Sequence, residues 1–319
     1  MRRYLSVAAL LVLAPLVGEY LLGNLSVRVL PALPFLIPLY GGGALLIREL
    51  TRRTGRGWPT ILLLGCAYGL VEAGMFDGSL FNPSFEGLDF TATYVSALGI
   101  SATNALHFVV GHAVWSIAVP IALVEALVPT RRTTPWLGKV GLAVTAVVYL
   151  LGGLLVLNWS RRTGNYVTSP AQLAGTALVV AVLVVIAFRL GRTPAGTGAT
   201  PAPRPLAVGV GAFVASSLFS LAPETWPGVV VAAVLLLVTA AVVVRWSRRA
   251  DWDDRHRLAL AGGVLPTYMW LAFVVASLKG QTDPLSLAGN VVFAVVTVGI
   301  LVVAMRRTAT ARSRLATPV

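Results

Sequence analysis

The segments WPTILLLGCAYGLVEAGM (residues 58–75) and NALHFVVGHAVWSIAVPIALVEALV (residues 104–128) decide the fold. Each is long and apolar enough to cross a bilayer core, which takes about 20 residues of α-helix. The stretch between them, FDGSLFNPSFEGLDFTATYVSAL (residues 76–98), is too polar to be a span. Both spans carry ionisable side chains, and such groups inside membrane helices are rare and indicate functional sites. We therefore expect the functional site where these two helices meet the intervening loop.

The composition classifies the chain as an integral membrane protein. Of its 319 residues, 57% are hydrophobic and 12% are charged, whereas soluble domains have about 25% charged residues. The net charge of +13 does not indicate nucleic acid, because the basic residues form short runs between apolar spans. The lipid bilayer is therefore the predicted partner. The dominance of Arg over Lys, in a background of Ala, Val and Gly, suggests a GC-rich bacterial genome.

The apolar runs predict an all-α polytopic membrane protein with about ten transmembrane helices. The predicted spans are residues 4–23, 31–50, 58–75, 104–128, 136–157, 169–189, 205–222, 227–245, 258–278 and 285–305. The first span follows Met1-Arg2-Arg3 and resembles a secretory signal. We assign it as a membrane helix because further spans follow and no clear cleavage site is present.

The distribution of basic residues predicts the orientation, because cytoplasmic loops carry an excess of Lys and Arg. With both termini in the cytoplasm, 21 of the 25 basic residues lie in cytoplasmic segments. Those left outside are Arg28, Arg161, Arg162 and Lys279. An error of one span would destroy this asymmetry. The chain is thus predicted to be a multi-pass protein of the cell membrane with both termini cytoplasmic.

Four regions are predicted along the chain. Residues 1–190 form a six-helix membrane region that carries the candidate site, and residues 206–306 form a four-helix membrane region. Residues 191–205, GRTPAGTGATPAPRP, are rich in Pro, Gly and Thr and are predicted to be a flexible cytoplasmic linker. Residues 307–319 are predicted to be a basic, disordered cytoplasmic tail.

Polar side chains near the outer ends of the spans define the candidate site. Placing a carboxylate inside hydrocarbon costs about 3 kcal/mol of free energy unless it is partnered or protonated. Glu72 lies about one turn from the outer end of its span, and His112 lies in the outer half of the next. We predict that they face each other as a coupled acid/base pair. Further candidates for the cavity are Glu19, Asp77, Asn82, Asn104, His107 and Ser116.

The spacing of His107 and His112 argues against a shared metal ion. Five residues of regular helix separate their directions by about 140°. We therefore expect one histidine to line a cavity and the other to pack. Whether any metal or cofactor binds elsewhere is left open by the sequence. The turn formers Asp77-Gly78 and Asn82-Pro83 predict a loop that folds back as a lid.

Charged residues at the cytoplasmic end have a structural explanation. Arg48 and Glu49 end the second span, and Glu125 ends the fourth. A structural ion pair between Arg48 and Glu125, or between Arg52 and Glu49, explains these charged residues without a catalytic role.

Glu72 and the motif Phe108-Val-Val-Gly-His112 resemble two motifs of the CAAX-type and bacteriocin-processing intramembrane protease superfamily. That superfamily contains polytopic glutamic or metal-dependent peptidases. The resemblance implies that Glu72 activates a water and that His112 orients or polarises it. It covers about 45 residues. The second Glu and the Arg of the family's first motif are missing here, as is its third motif.

Three classes of function fit the sequence. The first is a membrane-embedded enzyme, hydrolase- or peptidase-like, that uses Glu72 and His112 on a lipidic or peptidic substrate. A terpene or prenyl cyclase, in which a buried acid protonates an olefin or epoxide, is a variant of this class. The second is a proton-coupled transporter or permease, and the third is a non-catalytic membrane scaffold. An asymmetric cluster near one leaflet favours the enzyme, because transporters that work by alternating access have their binding site near the middle of the membrane.

Overall fold

The computed structural model describes residues 3–164, 166–190 and 200–316 and is an all-α polytopic membrane protein, as the sequence predicts. Within these residues, eight helices are long and apolar enough to cross a membrane, and two apolar helices are shorter. In chain order the helices are α1 (Tyr4–Tyr20), α2 (Val27–Arg53), α3 (Trp58–Phe76), α4 (Ala102–Leu127), α5 (Lys139–Thr163), α6 (Pro170–Arg189), α7 (Pro205–Ser220), α8 (Trp226–Ser247), α9 (Asp254–Leu278) and α10 (Pro284–Ala316). Each predicted span corresponds to one of them, with α1 and α7 as the short ones.

The predicted end of the last helix is wrong. A basic tail was expected from residue 307, but α10 continues through Ala316. The extension RRTATARSRLA contains no Gly or Pro, and both Ala and Arg favour helix. Most of the predicted linker, residues 191–199, lies outside the described residues.

The core is built by α1 to α4 with α9 and α10. Its fully buried side chains include Leu10, Leu39, Ile61, Leu123 and Leu265. The helices α5, α6 and α8 lie at the periphery, and many of their large apolar side chains are exposed, as expected of helix faces that contact lipid. The four helices after the linker therefore do not form a separate unit, because α9 and α10 complete the core of the first six.

Each of α1 to α4 contains one π-helical segment. These segments are Leu16–Tyr20, Ile37–Gly41, Glu72–Phe76 and His112–Ala118. Proline contributes to two of them, because Pro15 directly precedes the first and Pro38 lies in the second, and proline lacks the N–H that a regular helix needs. A π turn is rare and often occurs at a functional site.

A buried ionic network closes the arginine-rich end of the bundle. The guanidinium of Arg48, which is 0% exposed, donates to Glu49 Oε1 at 2.6 Å and to Glu125 Oε1 at 3.1 Å, and it lies over the ring of Trp136. Arg52 donates to both oxygens of Glu125, at 2.8 and 2.6 Å. The predicted pair of Arg48 and Glu125 is confirmed. The alternative pair of Arg52 and Glu49 is not formed, because Arg52 bonds Glu125.

Helices α7 and α9 pack closely through glycines. A Cβ atom on Gly263 would collide with the carbonyl oxygen of Gly209 and would come within 2.9 Å of the Ala212 Cβ atom. Small residues let membrane helices approach in this way, and interhelical hydrogen bonds add to the contact. The hydroxyls of Ser216 and Thr267 provide such a bond at 2.6 Å.

Replacing Gly263 with Ala is expected to lower the stability of the folded protein by about 1–3 kcal/mol, because the backbones of α7 and α9 must move apart. Gly211→Ala, on the exposed face of α7, is the matched control, because a Cβ there meets no atom within 4 Å. Thermal unfolding of the purified protein in detergent measures both. Equal midpoints for the two variants would show that the glycine contact does not stabilise the fold.

Candidate functional site

A cavity of about 1010 Å³ lies at the end of the bundle opposite the arginine-rich network. Its walls are largely apolar and come from both halves of the chain, so the site is not confined to residues 1–190 as predicted. Apolar wall residues include Leu22, Leu36, Leu39, Phe108, Val156, Leu271 and Val275. Among its polar lining residues are Glu19, Tyr40, Glu72, His112 and Ser116, all of which lie in the π turns of α1 to α4. The arrangement suits an amphiphilic molecule.

Glu72 and His112 meet across α3 and α4, as the sequence predicts. The distance between Glu72 Oε2 and His112 Nε2 is 2.9 Å. Within the described residues no other group donates a hydrogen bond to this carboxylate oxygen. The contact is thus a close approach of a carboxylate and an imidazole, which becomes an ion pair when the ring is protonated.

A tyrosine joins this pair to a second carboxylate. The Tyr40 hydroxyl lies 2.6 Å from Glu19 Oε1 and 3.2 Å from Glu72 Oε1. One hydroxyl proton can be donated to only one of the two oxygens at a time, and the shorter distance favours Glu19. The Asn24 amide donates to the other oxygen of Glu19 at 2.6 Å. Glu19 is therefore well bonded, whereas Glu72 is the less satisfied carboxylate.

Asp77 lies just beyond the end of α3 and also lines the cavity. It accepts a hydrogen bond from the Ser79 N–H at 2.8 Å. Burial raises the pKa of the Asp77 carboxyl well above its usual range, and the nearby Glu72 carboxylate raises it further. Asp77 thus retains its proton more readily than a solvated aspartate.

The loop that follows α3 covers the cavity as the sequence predicts, and we call residues 77–101 the lid. Asn82, Phe85 and Phe90 of the lid line the cavity. The rings of Phe85 and Phe90 pack against Phe108 of α4, with centroids 6.1 and 6.3 Å away. Its C-terminal part forms a short antiparallel hairpin of β1 (Tyr94–Val95) and β2 (Ile100–Ser101).

An ion pair fastens the lid to α9. The ammonium of Lys279 donates to Glu86 Oε2 at 2.8 Å and to Asn24 Oδ1 at 2.7 Å. Glu86 has a φ of 53°, which is uncommon for a residue other than glycine. Because Asn24 also bonds Glu19, a continuous chain of polar contacts runs from the lid to the carboxylates of the cavity.

Replacing Lys279 with Met is expected to speed cleavage of the lid at Glu86 by a glutamate-specific protease several-fold, because the lid loses its ionic contact with α9. The wild-type lid should resist cleavage. Lys139→Met is the matched control, because Lys139 is exposed at the start of α5, far from the lid in the fold. Mass spectrometry of the fragments measures the rates. Rapid cleavage of the wild-type lid would show that it is an open linker.

His107 lines the cavity, as its place among the cavity candidates predicts. Two other expectations are wrong. His112 lines the cavity as well, so neither histidine is left to pack elsewhere, because the cavity is wide enough to contact two faces of α4. Asn104 is buried but is not among the described lining residues. The first turn of α4, where it lies, is covered by the hairpin, whose Thr93 hydroxyl bonds Thr103 Oγ1 at 3.0 Å.

Little in the sequence indicates that Tyr40, Asn24 and Lys279 belong to the site. Tyr40 stands beside the run Gly41-Gly42-Gly43, which marks close helix packing but not a hydroxyl aimed at a carboxylate. Asn24 and Lys279 follow their helices in loops, where polar residues are ordinary. Only the folded chain brings Tyr40 and Asn24 to Glu19, and Lys279 to Asn24.

The described residues contain no group of three or more His, Cys, Asp or Glu side chains that could hold a metal ion. The carboxylates, imidazoles and hydroxyls that line the cavity can supply acid/base and nucleophilic chemistry.

A family model described as an uncharacterized membrane protein family matches residues 8–318. The chain belongs to this family. Comparison with curated proteins gave no match, and neither did comparison with solved structures. The family description assigns a membrane protein, in agreement with the helices, and carries no activity.

Proposed function

We propose that the protein is a membrane-embedded hydrolase that acts on a lipidic or peptidic amphiphile, with Glu72 and His112 as its acid/base pair. The observation that carries the proposal is the 2.9 Å contact of these two side chains in the wall of a largely apolar cavity. The same pairing is what the resemblance to intramembrane proteases implies. Following the positive-inside bias of the arginines, we place the cavity toward the outer leaflet of a bacterial cell membrane.

In this proposal the apolar wall binds the substrate and the polar groups carry out the chemistry. The apolar wall takes the hydrophobic part of the substrate out of water or lipid. The carboxylate of Glu72 and the imidazole of His112 then take up and return a proton at the scissile bond, because their facing atoms are close enough to share one. The Tyr40 hydroxyl, which bonds Glu19, also lies within reach of Glu72 Oε1 at 3.2 Å.

The closed end of the bundle supports an enzyme over a transporter. Alternating access requires a path that opens to either side of a site near the middle of the membrane. Here the polar side chains lie at one end, and the buried network around Arg48, Glu49 and Glu125 fills the other. Moving a solute past that network would break several buried ionic contacts.

The proposal is tested with purified protein in detergent micelles, where no gradient exists. Long-chain esters and hydrophobic peptides are offered, and products are followed by mass spectrometry. We expect product from the wild type and from His107→Ala, and none from His112→Ala, which removes the other cavity histidine of α4. If no substrate is cleaved in micelles but the protein drives proton-dependent uptake into liposomes, it is a transporter.

A further inference from the structure

We propose that Ser116 is the nucleophile of this hydrolase, that His112 is its general base, and that Glu72 orients His112. The inference rests on the proposed function and specifies its chemistry: the substrate is an acyl compound, an ester or an amide, that forms a covalent acyl-enzyme. It assigns to Glu72 the role of holding the imidazole instead of activating a water directly.

The two ring nitrogens of His112 each contact one group. Nε2 lies 2.9 Å from Glu72 Oε2, and Nδ1 lies 3.1 Å from Ser116 Oγ. An ionised carboxylate has no proton to donate, so the contact with Glu72 favours the proton on Nε2. In the neutral ring Nδ1 is then an acceptor, and the Ser116 hydroxyl donates to it. This is the tautomer in which an imidazole removes a proton from a serine.

The backbone leaves room at the Ser116 oxygen. Gly18 of α1 lies opposite Ser116, and a Cβ on Gly18 would come within 2.6 Å of Ser116 Oγ. Both residues line the cavity. A side chain at position 18 would therefore occupy the space beside the hydroxyl that an acyl carbon has to reach.

The reaction balances with these residues and water alone. Ser116 Oγ forms a bond to the carbonyl carbon, and its proton passes to His112 Nδ1. The bond from that carbon to the leaving oxygen or nitrogen then breaks, and the leaving atom takes the proton from Nδ1. Water next attacks the acyl carbon and gives a proton to Nδ1, which returns it to Ser116 Oγ as the carboxylic acid leaves. Glu72 stays ionised beside the Nε2 proton throughout.

The charged side chains of the cavity wall limit which polar end the substrate can have. Glu19, Glu72, Asp77 and Glu86 all line the cavity, and Lys279 is the only Lys or Arg among the described lining residues. Its ammonium already contacts Glu86 and Asn24. A phosphate or sulfate headgroup would find no free cation here, so the preferred acyl compounds have a neutral or cationic polar end.

A lipophilic fluorophosphonate is the direct probe, because it phosphonylates activated serines. We expect the purified wild type to be labelled on Ser116, as located by peptide mass spectrometry. Ser116→Ala should lose labelling and lower ester turnover by at least about 10³-fold. Ser247→Ala is the matched control, because Ser247 ends α8 outside the described cavity lining and its hydroxyl donates to a backbone carbonyl of its own helix, that of Val244. It should be labelled and active like the wild type.

A role for Ser116 in merely positioning His112 predicts different results. Ser116→Ala would then keep substantial turnover, and the wild type would carry no label on this residue; either result overturns the nucleophile while the Glu72 and His112 hydrolase stands. Should Ser116→Ala fail to fold, Ser116→Cys in a Cys66→Ser background decides the matter, because a nucleophilic thiol at this position makes turnover sensitive to thiol reagents. Insensitive turnover by that variant would also overturn the proposal. Failure of the wild type to turn over any acyl substrate instead defeats the proposed function.

Discussion

Turnover is expected to fall by about 10²–10⁴-fold when Glu72 is replaced with Gln, which is the range contributed by a positioned acid or base. Glutamine keeps the size of the side chain, but it carries no charge to hold the proton on His112 Nε2. The protein should therefore insert and fold like the wild type while losing activity. Turnover of the same ester in micelles, together with the elution profile and the unfolding midpoint, checks both parts.

A matched control and a double variant test whether the loss of turnover comes from the pair of Glu72 and His112 or from any carboxylate in the cavity. Glu19→Gln removes the neighbouring carboxylate, which is bonded to Tyr40 and Asn24 but not to His112. Its effect on turnover should be much smaller. His112→Ala should match the loss caused by Glu72→Gln, and combining the two should add little, because residues that act as a unit are not additive. Full additivity would show that Glu72 and His112 act independently.

The largest loss of stability is expected at the arginine-rich end, where Glu49→Ala should lower the free energy of unfolding by about 3–5 kcal/mol. Glu49 is fully buried, and its two carboxylate oxygens accept from Arg48 at 2.6 Å and from the backbone N–H groups of Trp136 and Leu137 at 2.8 and 3.0 Å. Removing this carboxylate leaves buried donors and part of a buried charge without a partner. The loop after α4 should detach from α2 as a result.

An exposed ion pair provides the control for that experiment. Arg28 and Asp283 are in contact at 2.6 Å, but their side chains are 55% and 36% exposed. Arg28→Ala should leave the unfolding midpoint unchanged, because water replaces the lost contact, whereas Asp283 also caps the start of α10 and is left in place. Thermal unfolding in detergent compares the two variants. A Glu49→Ala protein as stable as the wild type would mean that the network contributes no net stability.

The sequence by itself determined the membrane class, the order of the helices and the pairing of Glu72 with His112. The physical reason is that hydrocarbon offers no water to polar groups, so a span must be apolar, and a carboxylate inside it must find a partner in a neighbouring helix. Consecutive elements of a chain are usually adjacent in space, so the next span, which carries His112, was the expected source of that partner. The same reasoning predicted the ion pair of Arg48 and Glu125 and a lid that folds back from α3.

Only the tertiary structure decided which other side chains reach that pair. Contacts between segments of the fold bring Tyr40 and Asn24 to Glu19. The ion pair of Lys279 with Glu86 joins residues that are 193 positions apart in the chain. The π turns also change the direction of side chains relative to a regular helix, and a calculation with a fixed angle per residue does not contain them. The cavity and the room beside Ser116 depend on how α1 to α5, α7 and α9 pack together, and hydropathy along one chain does not encode that packing.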